Sequence, residues 1–419
     1  MIRLKKENLP LNLVLLYFVW TFFNGIIKKL LISNATLFAI NTYIPEIILL
    51  LVVFWCLFHL KGLKFNKFEV AGATWFLLVI LISLVYCGYS QGVLYVIRDL
   101  FFPIYFALVV SKYTFSEKAL DHFWRVFKII CMIYLISGAI LGMVEFLNGW
   151  EWTSQFYTGY TFYGQDEYSS IKITEAYGFL RAPGLTGNHT TFAYYGLVAV
   201  MTIIADRNAK LLKKIFFVVC EILILVSTIN KTAIVCMALI LYIYLFRRLG
   251  RTLKYISLVP VGLFVLLYVF SNQSLAFLSS TFDRFDFWST ISSYVSPFEV
   301  IIPYNSFSYN PLSSGIISFW DNSYLYFLFA VGIFGEIWIL MYVFKLYKQN
   351  WNTYQNIGMI FEFLIAFFLA AALFNNITNG RAGFALYFVI NSVYFCGKGI
   401  GSTHNTELQS HDQALDNKT

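Results

Sequence analysis

Charged residues are scarce in this sequence of 419 residues, in which Asp, Glu, Lys and Arg together make up 12%. Soluble domains contain about 25% charged and about 45–50% apolar residues, whereas 59% of this chain is hydrophobic. So little charge excludes a soluble enzyme, a nucleic-acid-binding protein and a disordered chain. The composition instead predicts an all-α, polytopic integral membrane protein whose residues 1–419 form a single membrane domain in a lipid bilayer.

Paired cysteines are also lacking. The six cysteines lie within or at the ends of apolar runs, and no two of them form a CxxC pair. This pattern implies neither a disulfide framework nor a zinc site. The basic N-terminus, MIRLKKENLP, precedes a long apolar run without a small-residue cleavage site, which predicts a first membrane span rather than a signal peptide.

Long apolar runs are abundant. A helix needs about 20 mostly apolar residues to cross a bilayer, and runs near that length predict about twelve transmembrane helices. Two of the runs are short for a span, namely 232–246 and 384–397. The predicted spans lie at 11–32, 41–60, 69–87, 93–111, 125–147, 189–205, 215–229, 232–246, 255–271, 323–344, 358–374 and 384–397.

Most of the 30 Lys and Arg residues fall on one side of these predicted spans. Because cytoplasmic loops collect Lys and Arg, this side is predicted to be cytoplasmic, with both termini inside. Two long loops, roughly 148–188 and 272–322, then lie outside, and residues 398–419 are predicted to be a disordered cytoplasmic tail. Long loops of this kind are usually functional.

A few basic residues do not follow that rule and are candidates for function. Arg98, next to Asp99 inside a predicted span, is a candidate for an internal ion pair, and ionisable groups within a membrane suggest function by default. Three more lie within predicted spans, namely Lys28, Lys29 and Lys128, and five lie outside or at the outer membrane face: Lys172, Arg181, Lys231, Arg284 and Arg381.

Arg181 precedes a Pro183–Gly184 turn, and the next predicted span opens at Asn188. An Asn or Thr there would cap the helix, and helix N-termini favour anions. A guanidinium pairs in bidentate fashion with phosphate oxygens, so this segment has the features of a diphosphate-binding site. The alternative interpretation is that the Arg181 side chain simply extends to the polar membrane interface and binds no ligand.

Two further basic residues have both a functional and a structural interpretation. Lys231 lies in a tight external turn, where it could hold a phosphate or anchor the turn. Arg284 stands between Asp283 and Asp286, an arrangement that also suits a self-neutralising surface cluster.

Asp321 and Asn322 end the second long loop where a span begins, and Gly332 and Gly335 follow within that span. Asp321 as an N-cap, with the two glycines packing helices, fits this pattern. A capping aspartate at the membrane surface is equally well placed to act as a general base.

These motifs together resemble the O-antigen polymerase and O-antigen ligase superfamily (Wzy and ligase type). The segment Asp321-Asn322-x9-Gly332-x-x-Gly335 resembles the family's His-Asn/Ser/Gln-x9-Gly-x-x-Gly motif. Other elements occur in the family's order, over about residues 180–345. They are Arg181-x-x-Gly184…Gly187-Asn188, Asn230-Lys231-Thr232-Ala233, which resembles a Ser-Arg-Thr-Ala turn, and Arg284-x-x-x-Trp288.

The resemblance implies a GT-C-like, metal-independent, inverting glycosyltransferase without a cofactor. It would act on undecaprenyl-diphosphate-linked oligosaccharides at the periplasmic face of a bacterial inner membrane, with a polysaccharide chain-length regulator as an expected partner. Basic residues would offset the charge of the departing diphosphate. The predicted catalytic residue is the base Asp321, and the predicted substrate-binding residues are Arg98, Arg181, Lys231, Arg284, Asn322 and Tyr324.

The departures from the family pattern decide between its members. Ligases have His where this chain has Asp321, which favours a repeat-unit polymerase over a ligase that transfers polysaccharide to lipid A-core. Lys231 replaces an arginine, which loses bidentate geometry but keeps the charge. The competing class is a lipid-linked oligosaccharide flippase or other transporter, in which two related halves and binding groups near the midplane are common.

Overall fold

The computed structural model describes residues 2–31, 34–60, 62, 64–88, 93, 96–157, 174–176, 178–247, 256, 288, 296–304, 322–354, 358–374, 377 and 383–394. The described chain is mostly helical. In chain order the α-helices are α1 (Ile2–Phe22), α2 (Asn24–Leu31), α3 (Ala35–Asn41), α4 (Ile44–His59), α5 (Lys67–Cys87), α6 (Phe102–Val110), α7 (Glu117–Phe156), α8 (His189–Ala205), α9 (Leu211–Thr228), α10 (Lys231–Leu245), α11 (Ser323–Thr353), α12 (Gly358–Phe374) and α13 (Phe384–Tyr394). A π-helical turn (Ile97–Phe101), a hairpin of β1 (Thr174–Ala176) and β2 (Phe179–Arg181), and 3-10 turns at Gly184–Thr186 and Pro297–Val300 complete the described elements.

Several helices have the length and composition of membrane spans. Within the described residues, α5, α7 and α11 are each long and apolar enough to cross a bilayer. Asn8–Phe22 and α2, which meet at a bend of 74°, count as a fourth span if they are taken together. Five shorter apolar helices accompany them, so the chain is compatible with a helical membrane protein.

The helices follow the predicted spans closely but not completely. Helical structure is found in each predicted run except 255–271, which lies outside the described residues apart from residue 256. α7 continues to Phe156, past the predicted end at 147, so the first long loop begins as helix. Twelve membrane crossings therefore stay a prediction. Residues 398–419 and most of the loop 272–322 also lie outside the described residues.

The core of the described bundle is α8. Every residue of this helix from Phe192 to Ala205 is buried, and α8 packs against α7, α9, α10 and α12. A helix that is apolar on all sides is stable only where neighbours cover all its faces. Helices α10 and α11 begin at the same end of the bundle as α8. The start of α8 therefore identifies one end of the bundle, and its last residue identifies the other.

Asparagine side chains cap the helices that begin at this end. Asn188 Oδ1 accepts hydrogen bonds from the backbone N–H groups of Thr190 (2.9 Å) and Thr191 (3.3 Å). Asn230 caps α10 in the same way, and Asn322 caps α11. The predicted cap at Asn188 is confirmed. The side chain that caps α11 is that of Asn322, whereas one of the two interpretations of the sequence gave this cap to Asp321.

At the opposite end a buried carboxylate gathers basic residues. Glu69 is 1% exposed and completes a capping box with Asn66 at the start of α5. It forms ion pairs with Lys112 and with Lys345, the latter at 2.7 Å. Lys112 and Lys345, which are far apart in the sequence and were predicted to lie on the same basic side, thus both contact Glu69.

A glycine breaks α11 where the second long loop packs against it. Gly332 has φ +71°, and a Cβ atom there would lie 3.2 Å from the carbonyl oxygens of Val300 and Ile301. The interrupted helix leaves the Val331 carbonyl to accept a hydrogen bond of 2.8 Å from Trp75 Nε1. The glycine therefore permits both the kink and the close approach of the loop.

The substitution Gly332→Ala should lower the midpoint of thermal unfolding of the purified protein in detergent. Gly149→Ala is a matched control, because Gly149 also has φ +71° but a Cβ there would meet no atom within 4 Å. Both variants incur a backbone penalty of about 1 kcal/mol, whereas crowding adds roughly 1–3 kcal/mol at Gly332 alone. Equal shifts for the two variants would contradict the role assigned to the loop contact.

Candidate functional site

A short hairpin places Arg181 over the end of α9. Strands β1 and β2 pair antiparallel, with Thr174 opposite Arg181. The next residue, Ala182, donates a backbone hydrogen bond of 2.9 Å to the carbonyl of Ser227 near the end of α9. This bond fixes the chain as it leaves the hairpin and enters the turn that leads to α8.

The Arg181 guanidinium connects two helix ends. Its Nη1 lies 3.2 Å from His189 Nε2, and its Nη2 donates to the carbonyl of Ile229 at 3.3 Å. A guanidinium only donates hydrogen bonds, so His189 Nε2 accepts and this imidazole is neutral, with its proton on Nδ1. Arg181 thereby holds the first residue of α8 beside the turn that separates α9 from α10.

That turn carries Lys231 and has an unusual backbone. Ile229 adopts a left-handed conformation with φ +48° and ψ +40°, which β-branched residues rarely take. Asn230 follows as the N-cap of α10, and Lys231 is its first residue. Because Arg181 binds the Ile229 carbonyl, the structure brings Arg181, His189 and the turn of Lys231 to one place.

The electrostatics of this place favour an anion. Helices α8 and α10 both begin here, and the dipole of each helix gives its N-terminus a partial positive charge. Arg181 and Lys231 add formal positive charges beside them. Helix N-termini combined with a guanidinium suit phosphate oxygens, which accept charge-assisted hydrogen bonds.

The buried side chain of Glu145 holds the turn that follows Arg181. Glu145, in α7, is fully buried, and its Oε2 accepts a hydrogen bond of 2.8 Å from the N–H of Gly184. The Tyr157 hydroxyl lies 2.9 Å from Glu145 Oε1 and 2.8 Å from the Gly184 carbonyl oxygen. Gly184 has no room for a side chain, since a Cβ would lie 2.3 Å from the Phe192 ring. These contacts hold the turn after Arg181 against α7 and α8.

The predicted residues of α11 lie at the same end of the bundle. Tyr324 donates a hydrogen bond of 3.0 Å to the carbonyl of Leu369 in α12. Tyr194, in the second turn of α8, packs on Phe367 of α12 with ring centroids 5.2 Å apart. α12 therefore links the start of α11 to the start of α8. In this structure Asn322 caps α11 and Tyr324 joins two helices.

The remaining predicted residues are Arg98, Asp321 and Arg284. Arg98 lies on the π-helical turn, where Nε and Nη2 donate to the two carboxylate oxygens of Asp99 at 2.6 and 2.8 Å. Glu46 is 4.0 Å away, so the predicted internal ion pair is present. The π-helical turn packs against α13. Asp321 and Arg284 lie outside the described residues.

Sequence reasoning missed three residues of this site. His189 was separated from Arg181 by the Pro183–Gly184 turn, and only the folded turn brings the two side chains into contact. Glu145 is an ionisable residue inside the predicted span 125–147, but its partner Gly184 lies 39 positions away. Tyr157 belongs to an aromatic-rich stretch in which nothing distinguished it from its neighbours.

The substitution Tyr157→Phe should destabilise the turn after Arg181, because it removes the hydroxyl that lies within hydrogen-bonding distance of both Glu145 Oε1 and the Gly184 carbonyl oxygen. We expect a loss of about 1–3 kcal/mol, seen as a lower midpoint of thermal unfolding and faster limited proteolysis near the hairpin. Tyr43→Phe is the control, since the Tyr43 side chain is exposed. Identical behaviour of the two variants would show that the hydroxyl does not hold the turn.

The chemistry of the site follows from these contacts. Two helix N-termini, Arg181, Lys231 and a neutral His189 form a positively charged surface at the end of the bundle from which α8, α10 and α11 begin. A buried carboxylate and two backbone hydrogen bonds fix its geometry before any ligand binds. The sequence matches no protein-family model and has no significant match among curated proteins, so these contacts carry the functional argument.

Proposed function

We propose that this protein is a membrane glycosyltransferase that joins undecaprenyl-diphosphate-linked oligosaccharide repeat units, as an O-antigen polymerase does. The observation that carries the proposal is the Arg181 guanidinium, held by His189 and the Ile229 carbonyl between two helix N-termini. In the full proposal about twelve helices cross a bacterial inner membrane, both termini are cytoplasmic, and the two long loops are periplasmic.

The first step assigned to the site is binding of the donor diphosphate. Arg181 and Lys231 would contact its oxygens, with Arg284 of the second long loop completing the set. As the bond to the anomeric carbon breaks, negative charge grows on the leaving diphosphate, and fixed cations stabilise that charge more than they stabilise the bound donor. Because side-chain cations supply this charge, the proposal requires neither a metal nor a cofactor.

The second step is activation of the acceptor sugar. Asp321 would take the proton from the acceptor hydroxyl while its oxygen attacks the anomeric carbon from the face opposite the diphosphate, which inverts the configuration. Asn322, the residue after Asp321, caps α11 at the same end of the bundle as Arg181. That placement supports Asp321 as the base. Asn322, Tyr324 and Arg98 remain the proposed contacts for the sugars.

One observation favours the transporter alternative. Glu221, in α9, is fully buried, and within the described residues neither carboxylate oxygen has a hydrogen-bond partner. It fits there because Gly196 lacks a side chain, whose Cβ would lie 2.1 Å from Glu221 Oε2. Lone carboxyl groups within a membrane are common on transport pathways. A flippase for lipid-linked oligosaccharides is therefore the second candidate function.

The polymerase proposal predicts the polysaccharide ladder of a bacterial host that depends on this gene. Arg181→Ala and Asp321→Ala should reduce polymerised chains roughly 100-fold, leaving lipid A-core with a single repeat, because the first removes a cation that stabilises the leaving diphosphate and the second removes the general base. Arg125→Ala, an exposed arginine of α7, is the control and should leave the ladder intact. Immunoblots of membranes serve to check that all variants are equally abundant.

Other ladders would point to the alternatives. Absence of any sugar on lipid A-core, with lipid-linked polymer accumulating, would identify a ligase instead. Loss of lipid-linked repeats from the outer leaflet, together with the same loss in Glu221→Gln, would identify a flippase. An unchanged ladder in both Arg181→Ala and Asp321→Ala would contradict the proposed site.

A further inference from the structure

A cavity of ≈1040 Å³ lies at the end of the bundle opposite Arg181. It is bounded by the last residues of α8, α10 and α11 and by the first residues of α9 and α12. This end also holds the Glu69 cluster of ion pairs and was predicted from its basic residues to face the cytoplasm. The cavity therefore belongs to neither the Arg181 site nor its proposed chemistry.

Cations dominate the cavity wall. Arg207, Lys214 and Arg247 line it, and among its described lining residues Glu362 is the one carboxylate. Lys214 is 7% exposed, and its Nζ donates a hydrogen bond of 2.8 Å to the Ile204 carbonyl. Such burial fixes a cation in the wall rather than leaving it to move in solvent.

The Tyr244 ring contacts two of these cations, Lys214 and Arg247. The centroid of the Tyr244 ring lies 5.3 Å from Lys214 Nζ and 4.4 Å from Arg247 Cζ. Cations over a tyrosine face are attracted by the ring quadrupole, which holds them close together despite their mutual repulsion. Trp351 also lines the cavity, and Trp and Tyr are enriched where a membrane meets water.

A carboxylate next in sequence to the lining residues Ala205 and Arg207 already has a partner. Asp206, which ends α8, lies 2.5 Å from Lys128 Nζ through its Oδ2. Burial opposes ionisation of Asp206, but the hydrogen bond from Lys128, the Asn208 amide and the charge of Lys214 outweigh it, so its pKa lies below its usual value. The cavity thus keeps an excess of positive charge that a bound anion would balance.

Exposed apolar side chains lie next in sequence to residues that line the cavity. Leu211 lines the cavity and is largely exposed, and its neighbour Leu212 is 79% exposed. Leu245 and Phe246, at the end of α10, are also exposed. Exposed leucines beside a cationic cavity match a ligand with a charged head and hydrocarbon chains, and they give no advantage to a free ion.

We propose that this cavity binds the phosphate-bearing headgroup of an anionic membrane lipid. The phosphate contacts Arg207, Lys214 and Arg247, the glycerol part occupies the remaining volume, and the acyl chains lie along Leu211 and Leu212. The volume greatly exceeds that of an inorganic phosphate and falls at the upper end of the range of small-ligand sites, about 300–1,000 Å³. Juxtamembrane basic clusters attract anionic lipids in the same manner.

The test is native mass spectrometry of the full-length protein in a nonionic detergent, titrated with phosphatidylglycerol, phosphatidylcholine or inorganic phosphate. Phosphatidylglycerol should bind in preference to the other two. The double variant Arg207→Gln with Arg247→Gln should bind it about 25-fold more weakly, since each basic group near an anionic lipid contributes roughly fivefold. Both side chains are exposed, so the fold should be retained.

The matched control removes the same charge from the same end of the bundle. Lys118→Gln with Arg125→Gln changes two exposed residues of α7 that do not line the cavity, and it should leave binding unchanged. If both double variants bound phosphatidylglycerol equally weakly, the loss would come from the lower net charge and not from the cavity, and the proposal would be overturned. Equal occupancy by phosphatidylcholine would also overturn it, as would inorganic phosphate that displaces the lipid at comparable concentration.

Discussion

Backbone N–H and C=O groups in apolar surroundings need partners, because no water is present to satisfy them. In the described bundle, polar side chains supply those partners at several helix starts and at one break. Asparagines cap α8, α10 and α11, Trp75 binds the carbonyl freed at the Gly332 kink, and Arg181 binds the carbonyl of the strained Ile229. These polar groups of the interior therefore lie at irregular backbone.

This constraint also produces the chemistry of the two ends. Helices α8, α10 and α11 start together, so their N-termini concentrate partial positive charge at one end, where Arg181 and Lys231 lie. At the other end the same helices finish, and Lys214 covers one of the last carbonyls of α8, that of Ile204. Each end thus has cations fixed by backbone contacts, and each suits a phosphate group. We assign a lipid-linked diphosphate to the first end and a lipid headgroup to the second.

Apolar run length predicted where most helices lie, because a helix buried on every face needs an unbroken apolar sequence. Two predicted runs coincide with α8 and α12. The bend of 74° between α1 and α2, the π-helical turn and the kink at Gly332 were not predicted. Those breaks depend on tertiary contacts, such as residues 300–303 at Gly332, that neither periodicity nor propensity encodes.

The candidate site was predictable only in part. Arg181 and the Asn188 cap are local features of one segment, and that segment was recognised. His189, Glu145 and Tyr157 join the site through a turn and through contacts with distant parts of the chain, which a linear pattern does not contain. The N-cap of α11 could not be predicted for a similar reason. Asp321 and Asn322 are adjacent, and Asp and Asn are both good N-cap residues. Which of them turns its side chain onto the helix is decided by the fold.

We propose that the Arg181 end of the bundle binds a lipid-linked diphosphate. Native mass spectrometry of the purified protein with undecaprenyl diphosphate and undecaprenyl monophosphate measures this binding. We expect tighter binding of the diphosphate, and a loss of about tenfold or more in Arg181→Gln, since removing one charge-assisted contact to phosphate changes affinity by that order. The variant Arg207→Gln with Arg247→Gln should keep that affinity. Equal binding of diphosphate by wild type and Arg181→Gln would show that Arg181 does not hold the diphosphate.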